Sequence, residues 1–432
     1  MKLNYKRTLL VGFAFLSIST FWQMYDSIIP LILQNTFQIG EAATGRVMAI
    51  DNILALFMLP LFGHLSDNTH TRLGKRTPYI ILGTIAAVCF MLMLPIFDRS
   101  KNLLGFALCL GVTLFAMATY RSPAVSLMPD VTPKPLRSRG NAIINLMGAV
   151  GAVISLALIK FLVPKEGKPD YLPIFAIVAG IMVTAVVVLV LTIRENALVN
   201  EMEETGGYES TEAELNEELS KGKKMPKDIL KSLIFMLLCI GFFFVGYNAV
   251  TTFFSLFMTN YLGTKGGDFA SYLMVATISS VVAYIPSGAI ATKLGRKKAI
   301  MLGLGVMALC FLSMSFVKTA GMFMIPFFVI IGFGYACVIV NTFPIIWEMS
   351  KGSDIGKYTG FYYTASMTAQ IVTPTVAGFL IEKVFKSYAV LFPYALCAMI
   401  ISFLMLLNVK HGDSKPEAQK DKLEALAPAG DD

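Results

Sequence analysis

The segment GHLSDNTHTRLGKR, residues 63–76, follows an apolar run and returns in shortened form as GAIATKLGRKK, residues 288–298. In each copy a Gly is followed by a basic residue, a Leu-Gly pair and a further basic run. A second echo lies further along: Pro123 to Asp130 precedes Gly140 in the first half, and Pro344 to Glu348 precedes Gly360 in the second. Because internal repeats are typical of duplicated architectures, the sequence predicts two related halves.

The composition places these halves in a membrane. The 432 residues are 56% hydrophobic and 15% charged, whereas soluble domains carry about 25% charged residues. A bilayer core of about 30 Å is crossed by about 20 apolar residues of helix. Twelve segments meet this requirement: Thr8 to Leu33, Gly45 to Leu65, Pro78 to Phe97, Leu103 to Met128, Gly140 to Val163, Tyr171 to Ile193, Leu230 to Leu262, Phe269 to Thr292, Ala299 to Val317, Gly321 to Trp347, Tyr358 to Ile381 and Tyr388 to Val409.

The predicted fold is therefore all-α: a polytopic membrane protein of about 12 transmembrane helices in two pseudo-symmetric six-helix bundles. Residues 1–193 form the first bundle and residues 230–409 the second. Between them, residues 194–229 are an acidic block followed by lysines, which predicts a linker that is in part helical. Residues 410–432 are polar and are predicted to be a disordered tail.

Lysine and arginine concentrate in the loops on the side of the N-terminus, so both termini are predicted to be cytoplasmic. Membrane anchoring then explains the net charge of +8, and no nucleic-acid partner is expected. The six cysteines all fall within apolar spans and lack paired spacing, so neither a disulfide nor a metal site is expected. The short loops favour a multi-pass protein of a bacterial cell membrane.

The loop at residues 63–76 resembles that of a known family. Gly63, Asp67 and the basic residues around Gly74 resemble the loop after helix two in the major facilitator superfamily. The stretched form, which continues to Pro78, is similar to the GxxSDxxxxRxGRRRP loop of the glycoside and sucrose cation symporters. This resemblance implies a sugar carrier with its substrate site between the two halves.

The same resemblance implies a role for Arg121 in substrate binding or coupling. In the sucrose carriers the arginine follows the proline of helix four, in the pattern GPCRA. Here the pattern is YRSPA, and Arg121 precedes Pro123.

The charges of the repeated loops predict a cytoplasmic gate. Several charge-assisted contacts acting together could hold the cytoplasmic helix ends in one conformation and release them in another. The alternative is a solvated loop that only orients the protein. The predicted gate residues are Gly63, Asp67, Arg72, Gly74, Lys75, Arg76, Asp130, Arg296 and Glu348.

Three charges lie within the predicted spans away from their ends: Asp26, Asp51 and Arg121. A lone carboxylate at the centre of a membrane helix costs about 2.5–3.5 kcal/mol, so these residues are predicted to be functional. Asp26 and Asp51 lie at similar depth, roughly 10 Å below the outer surface. They could share a proton, or they could coordinate Na⁺ with backbone oxygens. Alternatively, one of them braces a helix through an ion pair with Arg121.

Neutral polar and aromatic side chains surround these charges and predict the substrate site. Trp22 shares a helix face with Asp26, and an aromatic ring next to amides and carboxylates suits a sugar. The alternative is that Trp22 marks the membrane interface and that the polar groups bond neighbouring helices. The predicted substrate-binding residues are Trp22, Gln23, Asp26, Tyr247, Asn248, Asn341 and Gln370.

The resulting hypothesis is a monomeric, proton-coupled symporter of a di- or oligosaccharide that works by alternating access. Coupling to Na⁺, efflux of another small molecule and a sensor that has lost transport are the alternatives. The sequence contains no HExxH, no GxSxG and no nucleotide-binding Gly-rich loop, so an enzyme is disfavoured and no cofactor is expected beyond the coupling ion. A pore is disfavoured because the polar residues are few and clustered.

Overall fold

A computed structural model describes residues 4–132, 137–167, 169–204, 226–349 and 355–412. The described residues form thirteen α-helices: α1 Tyr5–Asn35, α2 Glu41–Asp67, α3 Thr77–Arg99, α4 Leu103–Asp130, α5 Arg137–Leu162, α6 Leu172–Thr192, α7 Glu195–Glu204, α8 Lys227–Leu256, α9 Ala270–Leu294, α10 Arg296–Met314, α11 Ile325–Met349, α12 Ile355–Phe379 and α13 Leu391–Leu407. π-Helical turns at Phe257–Tyr261 and Leu380–Phe385 extend α8 and α12, and 3₁₀ turns at Met322–Met324 and Tyr388–Val390 precede α11 and α13.

The helix ends follow local signals in the sequence. Asn4 caps α1 by accepting a hydrogen bond from the Arg7 backbone N–H at 3.1 Å, and Asn102 caps α4 through the Gly105 N–H at 3.0 Å. Pro78 lies in the first turn of α3, where its missing N–H costs nothing. α9 ends at Gly295, whose φ of 96° is open to glycine but rarely to other residues.

Twelve of these helices, α1 to α6 and α8 to α13, are long and apolar enough to cross a membrane. The all-α polytopic fold predicted from the sequence is thus confirmed. Large apolar side chains such as Phe57, Leu82, Leu108 and Phe161 are exposed on the outside of the bundle, where lipid would cover them. α7 is too short to span and lies within the predicted linker. Residues 205–225 of that linker and residues 413–432 of the predicted tail lie outside the described part of the chain, and residues 227–229 of the linker already belong to α8.

The helix contacts repeat between the two halves. In the first half α1 packs on α5 and α6, and α3 packs on α4 and α6. In the second half α8 packs on α12 and α13, and α10 packs on α11 and α13. The contacts between the halves follow the same repeat. α2 meets α12 as its counterpart α9 meets α5, and α1 meets its counterpart α8. These pairings are those of two related six-helix bundles that face each other across a central interface.

The two halves meet at one end of this interface. We call the side on which α1 begins and α13 ends the terminal face, and the other side the opposite face. Among described residues, the hydrogen bonds and ion pairs that join the halves all lie at the opposite face. They link Asn260 and Tyr388 to Gln34 (3.2 and 2.6 Å), Ala42 to Glu382 (2.8 Å) and Lys165 to Asp268 (2.8 Å). The structure is therefore closed at the opposite face.

Gly45 allows this closure. A Cβ atom at residue 45 in α2 would lie 2.0 Å from the carbonyl oxygen of Pro374 in α12, which is closer than real side chains approach. The two helices of opposite halves therefore touch through their backbones, as small residues permit in membrane proteins.

We expect Gly45→Ala to open the opposite face. Overpacking costs about 1–3 kcal/mol, so the ratio of open to closed molecules should rise by roughly 5- to 150-fold. Pulsed EPR between spin labels at Lys101→Cys and Lys318→Cys, in a chain freed of native cysteines, would measure the distance between the halves there. Gly111→Ala is the control, because a Cβ at residue 111 meets no atom within 4 Å. An unchanged distance distribution in Gly45→Ala would contradict the assignment.

Candidate functional site

Two adjoining cavities lie between the halves at the middle of the bundle. The larger one, the main cavity, has a volume of about 470 Å³ and is lined by α1 and α5 from one half and by α8, α9, α10 and α11 from the other. Its polar lining consists of Ser19, Gln23, Asp26, Asn145, Tyr247, Asn248, Thr251, Thr277, Ser280, Tyr284 and Tyr335. Among the described lining residues Asp26 is the only Asp, Glu, Lys, Arg or His, so the surroundings are mostly neutral donors and acceptors.

The smaller one, the acidic cavity, has a volume of about 220 Å³. It is lined by Trp22, Asp26, Met48, Asp51, Asn52, Arg121, Asn248, Thr251, Thr252, Gln370 and Pro374. All three charges that the sequence places within the membrane therefore line one cavity, although they come from α1, α2 and α4. Asp26, Asn248 and Thr251 line both cavities, so the two spaces share a wall.

Neither aspartate is held in an ion pair with Arg121. Among described residues, no nitrogen of Arg121 lies within 4.0 Å of a carboxylate oxygen of Asp26 or Asp51. The Arg121 guanidinium carbon lies 5.8 Å from the centroid of the Trp22 ring, a cation–π distance. Asp51 Oδ1 accepts a hydrogen bond from the Asn52 side chain at 2.9 Å. Both carboxylates thus keep oxygen lone pairs that a proton or a cation could occupy.

Two buried N–H donors in the cavity that Asp26 lines have no hydrogen-bond partner in the described residues: Nε1 of Trp22 and Nδ2 of Asn248. Trp22 belongs to α1 and Asn248 to α8, so the two donors come from different halves. Orphaned buried donors are rare in proteins because each costs free energy, and they point to a missing partner. Both residues line the acidic cavity, and Asn248 also lines the main cavity.

Aromatic rings flank these donors. Trp22 packs edge-on against Phe21 and Tyr25, with ring centroids 5.1 and 5.4 Å apart. In the other half Tyr247 and Tyr335 pack with centroids 4.7 Å apart. Their arrangement places flat apolar surfaces and hydrogen-bonding groups around the same space.

The remaining substrate-binding predictions fall into two groups. Gln23 and Tyr247 line the main cavity and Gln370 lines the acidic cavity. Asn341 lines neither of them: its side chain donates to Ser287 Oγ at 3.2 Å and to the Cys337 carbonyl at 2.9 Å, and it is 2% exposed. In this structure Asn341 thus makes hydrogen bonds within and between helices.

The predicted gate residues of the first half form a network at the terminal face. Arg76 contacts Asp67, donates to Asp130 at 2.8 Å and donates to the Gly63 carbonyl at 3.2 Å. Lys75 adds a second cation 3.2 Å from Asp130. Arg76 is 4% exposed and its pair with Asp130 is largely buried, whereas the side chain of Asp67 is 55% exposed. Arg72 lies outside the network, because its side chain is exposed and only its carbonyl is engaged, by Asn196 at 3.2 Å.

The second half has the corresponding pair, Arg296 with Glu348, at the same face. Arg296 begins α10 and Glu348 lies in the last turn of α11, as Arg76 lies at the start of α3 and Asp130 at the end of α4. The repeat seen in the sequence is thus also a repeat of charge pairs. A role for either cluster in gating stays a prediction.

The structure adds Glu195 to the gate region. This residue of α7 is 1% exposed, and its carboxylate accepts backbone hydrogen bonds from Lys75, Arg76 and Thr77 at 2.8–2.9 Å and one from the Thr77 hydroxyl at 2.7 Å. It therefore caps the N-terminus of α3 from the linker. Gly74, with φ of 114°, lies against it, and a Cβ there would approach Glu195 to 2.2 Å.

The family model of the Major Facilitator Superfamily matches residues 11–346 and, in a second match, residues 236–430. The chain belongs to the major facilitator superfamily. It is accordingly a multi-pass membrane transporter of the MFS type.

Several curated proteins resemble the chain at low identity. An uncharacterized MFS-type transporter of Methanocaldococcus jannaschii is 21% identical over 411 residues, which cover 94% of this chain and 95% of that protein. The isoprimeverose transporter of Lactiplantibacillus pentosus is 29% identical over 126 residues, 28% of this chain and 26% of that protein. An uncharacterized Bacillus subtilis protein is 26% identical over 203 residues, 46% of this chain and 47% of its own length.

Among solved structures, one from a study of proton-dependent oligopeptide transporters superposes with a TM-score of 0.70 and 14% identity. The match covers 94% of this chain and 98% of that one. At this identity the likeness shows the MFS fold alone.

Several residues of this MFS transporter's site carry little signal in the sequence. Tyr284, Tyr335 and Asn145 line the main cavity, yet each is an isolated polar side chain in an apolar span. Such residues bond neighbouring helices as often as they face a cavity. Glu195 also carries little signal, because it begins an acidic run that is typical of a solvent-exposed segment.

We expect Glu195→Ala to destabilise the transporter. The change leaves the first backbone N–H groups of α3 without an acceptor, which should cost about 2–3 kcal/mol. Thermal unfolding in detergent would show this as a lower midpoint. Glu201→Ala is the matched control on the same short helix, since Glu201 is exposed and its contact with Arg7 is a surface pair worth about 0–1 kcal/mol. Equal midpoints for the two variants would refute the capping role.

Proposed function

We propose that this transporter is a symporter that carries a sugar or glycoside together with a proton by alternating access. The observation that carries the proposal is the pair of orphaned donors, Trp22 Nε1 and Asn248 Nδ2, in residues that line the same cavity as Asp26. A polyhydroxylated ligand offers oxygen acceptors to the two N–H groups and hydroxyl donors to the carboxylate. One neutral molecule could satisfy all three groups at once.

The lining of the main cavity favours the same class of ligand. Side-chain amides and hydroxyls, including Gln23, Asn145 and Ser280, provide donors and acceptors without net charge. An anionic substrate would call for a cationic clamp, and the described lining of the main cavity contains no Lys or Arg. The rings of Tyr247 and Tyr335 in the main cavity, and that of Trp22 in the adjoining acidic cavity, offer flat faces to the C–H surfaces of a sugar ring.

The partial match to the isoprimeverose transporter supports this class, because its name assigns that protein a sugar. The resemblance of residues 63–78 to the loop of the glycoside and sucrose symporters points the same way. The likeness to structures of oligopeptide transporters carries no weight for the substrate, since it reflects the fold.

Asp26 is the group we assign to coupling. It lines both cavities, so a substrate in the main cavity and a proton in the acidic cavity would meet at the same carboxylate. Asp51 provides a second carboxylate in the acidic cavity, and Arg121 provides a cation nearby. Protonation of one aspartate when substrate binds would remove a negative charge before the cavity closes to one side of the membrane and opens to the other. Na⁺ held by the two carboxylates is the alternative coupling ion.

In this proposal the terminal face is cytoplasmic. The opposite face, which is closed here, is then the outer side, and the structure corresponds to an inward-directed state. Rocking of the two halves about the central site would open the seam between α2 and α12 and would close the terminal face around the charge networks.

Asp26→Asn should abolish sugar-driven proton movement in proteoliposomes. Addition of sucrose, maltose or isoprimeverose to the parent protein should alkalinise the medium, because the carboxylate takes up a proton with each sugar. The neutral variant cannot exchange the proton and should retain only sugar binding or sugar exchange. A pH-sensitive dye in the external medium measures the first effect, and radiolabelled sugar exchange measures the second.

Asp170→Asn is the matched control, because Asp170 lies at the opposite face outside both cavities and pairs with Arg99 there. It should transport like the parent. Sugar uptake that follows a Na⁺ gradient without a pH change would show that the coupling ion is Na⁺ and not a proton. Failure of every sugar to bind or move would overturn the substrate class while leaving the family assignment intact.

Trp22→Ala should weaken sugar binding by about 2- to 12-fold, which corresponds to the loss of one aromatic contact. Trp22→Phe should recover the ring contact but not the Nε1 hydrogen bond, so its affinity should fall between those of the parent and the Ala variant. Isothermal titration with the transported sugar measures all three. Asn341→Ala is the control, since Asn341 lines neither cavity. An affinity of Trp22→Ala equal to that of the parent would contradict the assignment.

A further inference from the structure

Helix α2 begins without a cap of its own. Its N-cap residue is Gly40, which has no side chain to accept a hydrogen bond from the first turn. The backbone N–H groups of Ala43 and Thr44 reach the Gly40 carbonyl at 3.1 and 2.9 Å. The N–H of Ala42 is left over, and a helix start leaves such donors to be satisfied from elsewhere.

The missing acceptor comes from the other half of the molecule. Ala42 N–H donates to Glu382 Oε2 at 2.8 Å, across 340 residues of chain. Glu382 lies in the π-helical turn Leu380–Phe385 that ends α12, and this turn closes at Lys386 in the left-handed conformation, with φ of 50°. π-Turns are uncommon and often occur at functional positions.

The surroundings show that this contact needs the halves to be closed. A Cβ at Gly40 would lie 2.5 Å from Glu382 Oε2, and a Cβ at Gly45 one turn later would collide with the backbone of α12. The carboxylate therefore reaches α2 because Gly40 and Gly45 place no side chains between the two helices. Once α2 and α12 separate, the Ala42 N–H loses this acceptor, while the Glu382 carboxylate keeps its pair with Lys383 of the same half, at 2.6 Å.

We propose that Glu382 is the latch of the opposite face, an N-cap for α2 that forms only in the state closed at that face. A helix N-terminus carries a partial positive charge, and here a carboxylate of the opposing half lies against it. It thus stabilises one of the two states of the transporter selectively, which is what a population shift requires. The proposal does not depend on the identity of the substrate or of the coupling ion.

The test compares Glu382→Ala and Glu382→Gln with the parent by pulsed EPR in nanodiscs. Spin labels at Lys101→Cys and Lys318→Cys, in loops of the two halves at the opposite face, report the opening directly. Loss of a helix cap corresponds to a change of about 2- to 30-fold in an equilibrium constant. Glu382→Ala should therefore raise the ratio of long to short distances by that factor. Glu382→Gln keeps a neutral acceptor oxygen and should give a smaller rise.

Asp170→Asn serves as the control for removal of a carboxylate at the same face. Asp170 is paired with Arg99 within one half, and this guanidinium lowers the pKa of Asp170 through a hydrogen bond, so the control also loses a charge at neutral pH. It should leave the distances unchanged. The latch is refuted if Glu382→Ala matches the parent, or if Asp170→Asn opens the face equally. Thermal unfolding midpoints of the variants establish that each EPR distance distribution comes from folded protein.

Discussion

The structure depends on one constraint: polar groups that enter lipid must find partners within the protein. Backbone N–H and C=O groups meet it by forming helices, and twelve helices in the described part of the chain are long and apolar enough to cross the bilayer. Charged side chains meet it only inside the bundle, away from lipid. Asp26, Asp51 and Arg121 accordingly share one cavity between the halves, although they lie on three different helices. The location of the site is thus a consequence of where charge can be tolerated.

The same constraint explains how the two halves hold together. Apolar helices gain little from packing against each other when lipid is equally apolar, so close backbone approach and hydrogen bonds matter more. At the opposite face α2 and α12 touch at Gly45, and Glu382 supplies the cap that α2 lacks. At the terminal face, Arg76 with Asp67 and Asp130 organises one half and Arg296 with Glu348 the other. The contacts that join the halves thus lie at the opposite face, whereas these charge networks of the terminal face each lie within one half.

The linker shows where pattern analysis is weakest. An acidic run from Glu195 onward is typical of a solvated segment, yet Glu195 is buried and accepts hydrogen bonds from the first residues of α3. Composition describes the average environment of a segment and not the one residue that turns inward. Asn341 illustrates the reverse case. Its polar side chain within an apolar span predicted a ligand contact, but its amide bonds Ser287 and the Cys337 carbonyl.

The sequence by itself determined the number of spanning helices, the division into two halves, the family and the three intramembrane charges. These follow from hydropathy, a repeated loop and the cost of charge in lipid, all of which are local properties of the chain. The tertiary structure decided which polar residues face the cavities, that Asp26 lines both of them, and that Glu195 and Glu382 cap helices distant in sequence. The rotation of an apolar helix about its axis and the partner of its first N–H groups depend on neighbouring helices, so only the packed molecule specifies them.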